Sequence, residues 1–220
     1  MKFWSDSFSD GAYIPGPYAF CIIDPTSHVG LSANRNPHLA WQDLPAGTRS
    51  LAIICHDMDV PSRGDDVNQE GRTIPADLPR VDFFHWTLID LPVSITHIAA
   101  GAFSDGVVAH GKSGPEVAGH AGLRHGRNDY TGWFAADPAM QGQYFGYDGP
   151  CPPWNDAVIH RYAFTLYALD VPRCAVEGAF TGPEVRQAMT GHILAQEMLI
   201  GLYTLNPFLA EPQYGSAAPA

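Results

Sequence analysis

The chain has 220 residues, 45% hydrophobic and 16% charged, with 23 Asp and Glu against 12 Lys and Arg for a formal net charge of −11. This composition can fill a sizeable core, argues against global disorder, and sets the surface against phosphate backbones and anionic bilayers, so nucleic-acid binding is not expected. No apolar run approaches the ~20 residues of a membrane span, and Asp6 and Asp10 interrupt the N-terminal segment, so a single cytoplasmic domain over residues 1–220 is expected.

The 22 glycines and 19 prolines punctuate short apolar runs, which favours strands joined by turns and long loops. The first strong run is RSLAIICHD, residues 49–57, nearly continuous in apolar residues as expected of a central strand buried on both faces. A polar, proline-bearing loop follows to residue 80. VDFFHWTLIDLP, residues 81–92, reads as the second strand, and a period of two places Phe83, His85, Thr87 and Ile89 on one face with Phe84, Trp86 and Leu88 on the other. Residues 101–157 hold no period for long and read as a functional or surface loop region. HRYAFTLYALDV, residues 160–171, is the third strand, with His160, Tyr162 and Phe164 on one face. The segment from Thr181 to Leu205 reads as a C-terminal helix, with Pro183 in its first turn and apolar residues at helical spacing, although Gly191 interrupts it. Cys21, Cys55, Cys151 and Cys174 form no Cys-x-x-Cys pair, and four free thiols in a reducing compartment are expected.

Three groups of residues could carry chemistry. Asp57 and Asp59 follow a buried strand and share a face if the chain stays extended, where they could act as an acid/base pair, ligate a hard cation or hold an ammonium. Each also suits a plain turn-capping role. His85 and His160 lie on separate strong strands. A single strand histidine is most often a satisfied core side chain, but two of them beside two aspartates suggest a site if the strand ends converge. FGYDGPCPPWNDAV, residues 145–158, is turn chemistry that could aim the N–H groups of Gly149, Cys151 or residues beyond Pro153 at an anion, or simply stiffen a connection. His97, His110, His120 and His125 lack metal-ligand spacing, so no metal or cofactor is expected. The GKSG at 111–114 lacks the upstream glycine of a phosphate-binding loop.

Taken in order, NPHLAWQDLPAGTRSLAIICHDMDVPS, DFFHWTLIDLP, GYDGPCPPWNDAVIHRYAFTLYALD and GHILAQEMLIGLY resemble the phosphatidylethanolamine-binding protein family, also called the Raf kinase inhibitor family, and its bacterial branch above all. The resemblance runs through most of the chain. It implies a mostly β fold, a two-sheet antiparallel β-sandwich with a C-terminal helix and long loops. It also implies a small surface pocket lined by Asp57, Asp59, Pro61, His85, Pro153, His160 and Tyr162, with Tyr147 and Cys151 at the rim. Met58 and Val60 depart from the family's usual Pro and Ala, and the loops at 61–80 and 110–143 look longer than in compact members.

The expected function is non-catalytic binding of a small anion or a phospholipid headgroup of the phosphoethanolamine kind. Imidazole N–H, tyrosine O–H and loop amides would take the phosphate, and a carboxylate the ammonium. Two rivals stand beside it: a hydrolase, metal-assisted or acid/base, using Asp57, His85 and His160, and an inhibitor of a kinase or protease acting through its loop surface. Ser62 is the nearest nucleophile, with no base placed by sequence. Trp133, Phe134 and Trp154 would allow a homodimer.

Overall fold

The structure is a computed structural model, and it describes residues 1–210. In chain order the elements are β1 (Lys2–Trp4), β2 (Cys21–Asp24), β3 (His28–Leu31), β4 (Leu39–Gln42), β5 (Ser50–Pro61), β6 (Arg80–Leu91), β7 (His97–Ile98), β8 (Arg124–His125), α1 (Tyr130–Trp133), β9 (His160–Leu169), α2 (Gly182–Ala188) and β10 (Ile193–Tyr203). A five-stranded antiparallel sheet, ordered β10-β9-β5-β6-β8, faces a three-stranded sheet, β1-β4-β7, and β2 and β3 form a separate hairpin. The fold is mostly β, as the sequence led us to expect.

β5 sits at the centre of the large sheet because its side chains are apolar on both faces. Leu51, Ile53 and Cys55 join Trp86, Phe164 and Leu166 in the inter-sheet core against Leu39, Trp41 and Ile98. Ala52 and Ile54 face the other way, into a second cluster with Phe84, Tyr167 and Val185 of α2. Burial on both sides explains why this segment reads as one continuous apolar run.

Two expectations fail here. The C-terminal helix stops at Ala188, and most of the segment expected to be helical is the edge strand β10, in register with β9 from Ile193 opposite Leu169 to Tyr203 opposite His160. The helix is capped at Met189, and Gly191, at φ +83°, takes the left-handed conformation in the turn that leads from it into the strand. Beyond it, Leu199, Gly201 and Tyr203 are buried in strict alternation, a period-two signal that the helical spacing of the preceding residues masks.

The second correction concerns the thiols. Cys21 and Cys151 form a disulfide, and only Cys55 and Cys174 are free, both buried. The partners lie 130 residues apart in sequence, and their approach depends on Phe20 N–H and Cys21 N–H both donating to the Pro150 carbonyl. Among the described residues, no helix is long and apolar enough to cross a membrane.

Candidate functional site

Three elements of the large sheet end at one place. β5 ends in Asp57–Pro61, β9 begins at His160 opposite that end, and β6 brings His85 alongside. They enclose a cavity of about 290 Å³ whose lining includes Asp57, Pro61, His85, Cys151, Pro153, His160 and Tyr162. Seven of the nine expected residues therefore meet at one cavity.

The other two lie elsewhere. Asp59 is buried but turned into a bidentate pair with Arg161 (2.8 and 2.9 Å), and its carboxylate also accepts Arg161 N–H. Burial opposes ionisation, yet these bonds hold its carboxyl below the usual range. Tyr147 is fully buried in the inter-sheet core, with its hydroxyl donating to the Tyr18 carbonyl rather than sitting at the rim. Gly149 lets this loop approach, since a Cβ there would lie 2.2 Å from the Tyr18 oxygen.

His85 reaches the cavity through an irregularity that no periodicity shows. Cys55 pairs with Trp86 while His56 pairs with Phe84, so His85 is an extra residue on β6, a β-bulge. The bulge shifts the alternation by one. Phe83, Trp86 and Leu88 all join the inter-sheet core beside His85, whereas Phe84 and Ile89 face the helix side. The expected grouping of Phe83 and His85 with Ile89 is therefore wrong beyond His85.

The two histidines of the cavity are held in opposite ways. His160 is fully buried, its Nδ1 2.6 Å from Asp57 Oδ2 and its Nε2 3.1 Å from Asp156 Oδ2. Arg80 in turn clamps Asp156 with two bonds of 2.6 and 3.0 Å. Burial alone would lower the pKa of His160, but the charge of Asp57 and the bonds to both carboxylates outweigh it and raise it to about 9. His160 is an imidazolium at neutral pH, with both N–H groups engaged.

His85 is also buried, but its one polar contact is Nδ1 to the Asp148 carbonyl at 2.7 Å. A carbonyl can only accept, so Nδ1 carries the proton and Nε2 presents a lone pair. Burial outweighs the nearby charge of Asp57 and depresses the pKa to about 4. The carbonyl is fixed by a network the sequence does not announce. The Asp148 carboxylate is fully buried and accepts from Asn34 (2.7 Å), Asn128 (2.8 Å) and Lys112 (2.5 Å). Lys112 is the lysine of the GKSG stretch, and its role is this ion pair.

Two further groups hold unused hydrogen-bonding capacity. The Tyr162 hydroxyl is buried beside Asp57 and makes no other hydrogen bond among the described residues. Of the loop amides expected to face an anion, Gly149 N–H is engaged by Asn34 and Trp154 N–H by Asn68, whereas Cys151 N–H has no partner among the described residues. Ser62 and Arg63 line the mouth, and Phe83, Tyr130 and Trp133 supply an apolar wall. Among the described residues, no group of three or more His, Cys, Asp or Glu is placed to hold a metal ion.

The family profile described as phosphatidylethanolamine-binding protein matches residues 4–204. The chain belongs to the phosphatidylethanolamine-binding protein family. YbhB, a UPF0098 protein of Escherichia coli (strain K12), is 29% identical over 205 residues, covering 93% of this chain and all of its own length. A UPF0098 protein of Chlamydia muridarum is 32% identical over 203 residues, covering 92% of this chain and 98% of its own. Among solved structures, the Chlamydia trachomatis protein CT736, described as a homologue of the same family, superposes with a TM-score of 0.60 at 26% identity over 91% of this chain and 95% of its own. Escherichia coli YbcL, described as a member of the mammalian family, gives 0.63 at 22% identity over 92% of this chain and 97% of its own, a likeness of fold.

Proposed function

We propose that the cavity binds a small zwitterionic headgroup of the phosphoethanolamine kind without catalysing its turnover. The observation that carries this reading is unused capacity of both signs in one buried space. Tyr162 O–H lies beside Asp57 and Cys151 N–H has no acceptor among the described residues, while His85 Nε2 has no donor and the Asp57 carboxylate, already accepting from His160 and from Asp59 N–H, keeps further lone pairs. An ammonium suits Asp57 and His85 Nε2. Phosphate oxygens suit Tyr162, Cys151 N–H and the Arg63 guanidinium at the mouth.

This revises the expected chemistry in one respect. The imidazole N–H groups are not donors to phosphate, because those of His160 go to carboxylates and that of His85 goes to a carbonyl. A bare phosphate binding at His85 must therefore carry a proton or give one to the ring. Its affinity then rises as pH falls towards 4, while that of ethanolamine does not.

A hydrolase needs a general base; His160 has no free nitrogen, and His85 Nε2, although unprotonated, is a weak base because burial holds its pKa at about 4. Ser62 lines the cavity but makes no bond to either histidine, so the binding reading is favoured over the acid/base hydrolase. Regulation of a kinase or protease, and homodimerisation, remain outside what this cavity supports.

The test is a phosphoethanolamine titration of wild type and His85→Ala followed by two-dimensional NMR. Saturable shifts at His85, His160 and Tyr162, weakened at least tenfold in the variant, support the reading. Absence of shifts at millimolar ligand refutes it.

A further inference from the structure

One stretch of the pocket wall is tied to the rest of the molecule, packing aside, by a single bond. Hydrogen bonds fix the loop on either side of it. The Pro150 carbonyl accepts from Phe20 and Cys21 N–H, and Trp154 N–H donates to Asn68 Oδ1. Between these anchors stand Cys151, Pro152 and Pro153, all three lining the pocket. Neither proline has an N–H to donate. Among the described residues no hydrogen bond reaches Cys151 or Pro152, and the Pro153 carbonyl accepts only from Asp156 N–H within the same loop. What holds the stretch to the body of the fold is the Cys21–Cys151 disulfide.

We propose that this disulfide is a redox switch on the headgroup pocket. Oxidised, it holds Cys151 N–H and the two prolines where the phosphate end of the ligand meets them; reduced, the stretch is released and the affinity falls. This rests on the headgroup reading above and adds how that site is regulated.

Access decides whether the bond can be cut in the folded protein. Cys21 is buried at the start of β2, but Cys151 is half-buried and borders two open spaces. One is the pocket, and the other is a second cavity of about 460 Å³ beside it, edged by Leu31 and Trp133, which are 63% and 55% exposed. A thiolate can therefore approach Cys151 Sγ without global unfolding. The chain supplies no such thiolate itself. Cys55 and Cys174 are buried, and burial raises the pKa of both, that of Cys174 to about 11. The reductant is thus external, a small dithiol. Its thiolate attacks Cys151 Sγ, the S–S bond breaks, and the Cys21 sulfur leaves as a thiolate and takes a proton. The second thiol of the reductant then displaces Cys151 from the mixed disulfide. Two electrons and two protons pass to the protein, which ends with two thiols, and the reductant ends as a cyclic disulfide. The loop before the stretch stays in place, because Tyr147 O–H is held by Tyr18, Gly149 N–H by Asn34 and the Gly149 carbonyl by Tyr130. The change is confined to the wall.

The experiment titrates phosphoethanolamine by two-dimensional NMR into oxidised wild type, wild type reduced with dithiothreitol, the same sample reoxidised, and Cys21→Ser/Cys151→Ser. Maleimide counting after denaturation fixes the redox state, and unchanged amide resonances of Ile53 and Leu166 show that the core is intact. The expected result is full reduction of the folded protein and an affinity weaker by about tenfold or more, the worth of one hydrogen bond to a charged group. Reoxidation restores it, and the serine variant binds weakly with or without reductant. Affinity in the reduced form or the serine variant that matches or exceeds that of the oxidised form overturns the switch and leaves the pocket reading intact. A thiol count unchanged by dithiothreitol also overturns it, because the bond is then a fixed staple. Loss of the core resonances on reduction overturns it too, since affinity is then lost by unfolding. If neither form binds, the headgroup reading falls and the switch with it.

Discussion

The two walls of the pocket carry the same residue type and give it opposite charge. On the β9 wall, His160 is an imidazolium strung between Asp57 and Asp156, with Arg80 behind. On the β6 wall, His85 is a neutral ring whose tautomer is set by one backbone carbonyl. Both are buried, so burial alone does not separate them. What differs is the partner, two carboxylates in one case and a neutral acceptor in the other. A buried histidine is thus a cation or a base according to its neighbours, and a site is read from those neighbours.

The strongest way to break the contrast is to remove one carboxylate. Asp57→Ala leaves His160 with a single partner in a buried space, and a loss of about 3 kcal/mol is expected in urea unfolding. A loss below 1 kcal/mol would show that the imidazolium is not held as described.

The pH dependence of stability sharpens the same contrast. The folded pKa of His160, about 9, lies above the unfolded 6.5, so its contribution is full below pH 6.5 and is lost as pH rises through 9. The folded pKa of His85, about 4, lies below the unfolded value, so its contribution is full above pH 6.5 and is lost as pH falls through 4. Each limb amounts to about 3 kcal/mol. Unfolding of His160→Gln across pH 6.5–9 should lack the alkaline decline, and persistence of that decline would assign it to another group.

Next in size is the disulfide beside both cavities. Cys21→Ser/Cys151→Ser is expected to lose about 2–4 kcal/mol, because the bond closes a long loop. The same pairing predicts that only two thiols react with maleimide in denatured, unreduced protein and four after reduction. Four reactive thiols before reduction would restore the original expectation. The smallest effect is expected at Asp59, whose partner Arg161 is half-exposed. Asp59→Asn should cost no more than about 1 kcal/mol and leave headgroup affinity unchanged.

How much of this was legible follows from the same particulars. β5, β6 and β9 could be read because strands buried on both faces leave long apolar runs, and the ordered motifs brought Asp57, His85, His160 and Tyr162 to one pocket. β10 was misread because Val185 and Met189 truly follow a helical period, and the alternation at Leu199, Gly201 and Tyr203 begins only beyond the turn at Gly191. The bulge at His85 is a property of pairing between strands and leaves no mark on one strand alone. The disulfide and the Asp148 network depend on loops that fold together from distant segments, so spacing carried no trace of either. Asp59 was placed in the pocket by the family resemblance, and neither the motif nor the period of the strand shows that Arg161 captures it.

The most direct test is the ¹⁵N spectrum of the histidine rings as a function of pH, with and without phosphoethanolamine. The account predicts one ring doubly protonated up to about pH 9 and another neutral, with its proton on Nδ1, down to about pH 4, both shifting saturably with ligand. If the two rings titrate together near pH 6.5, or if neither responds to ligand, the two-walled pocket is not the site described.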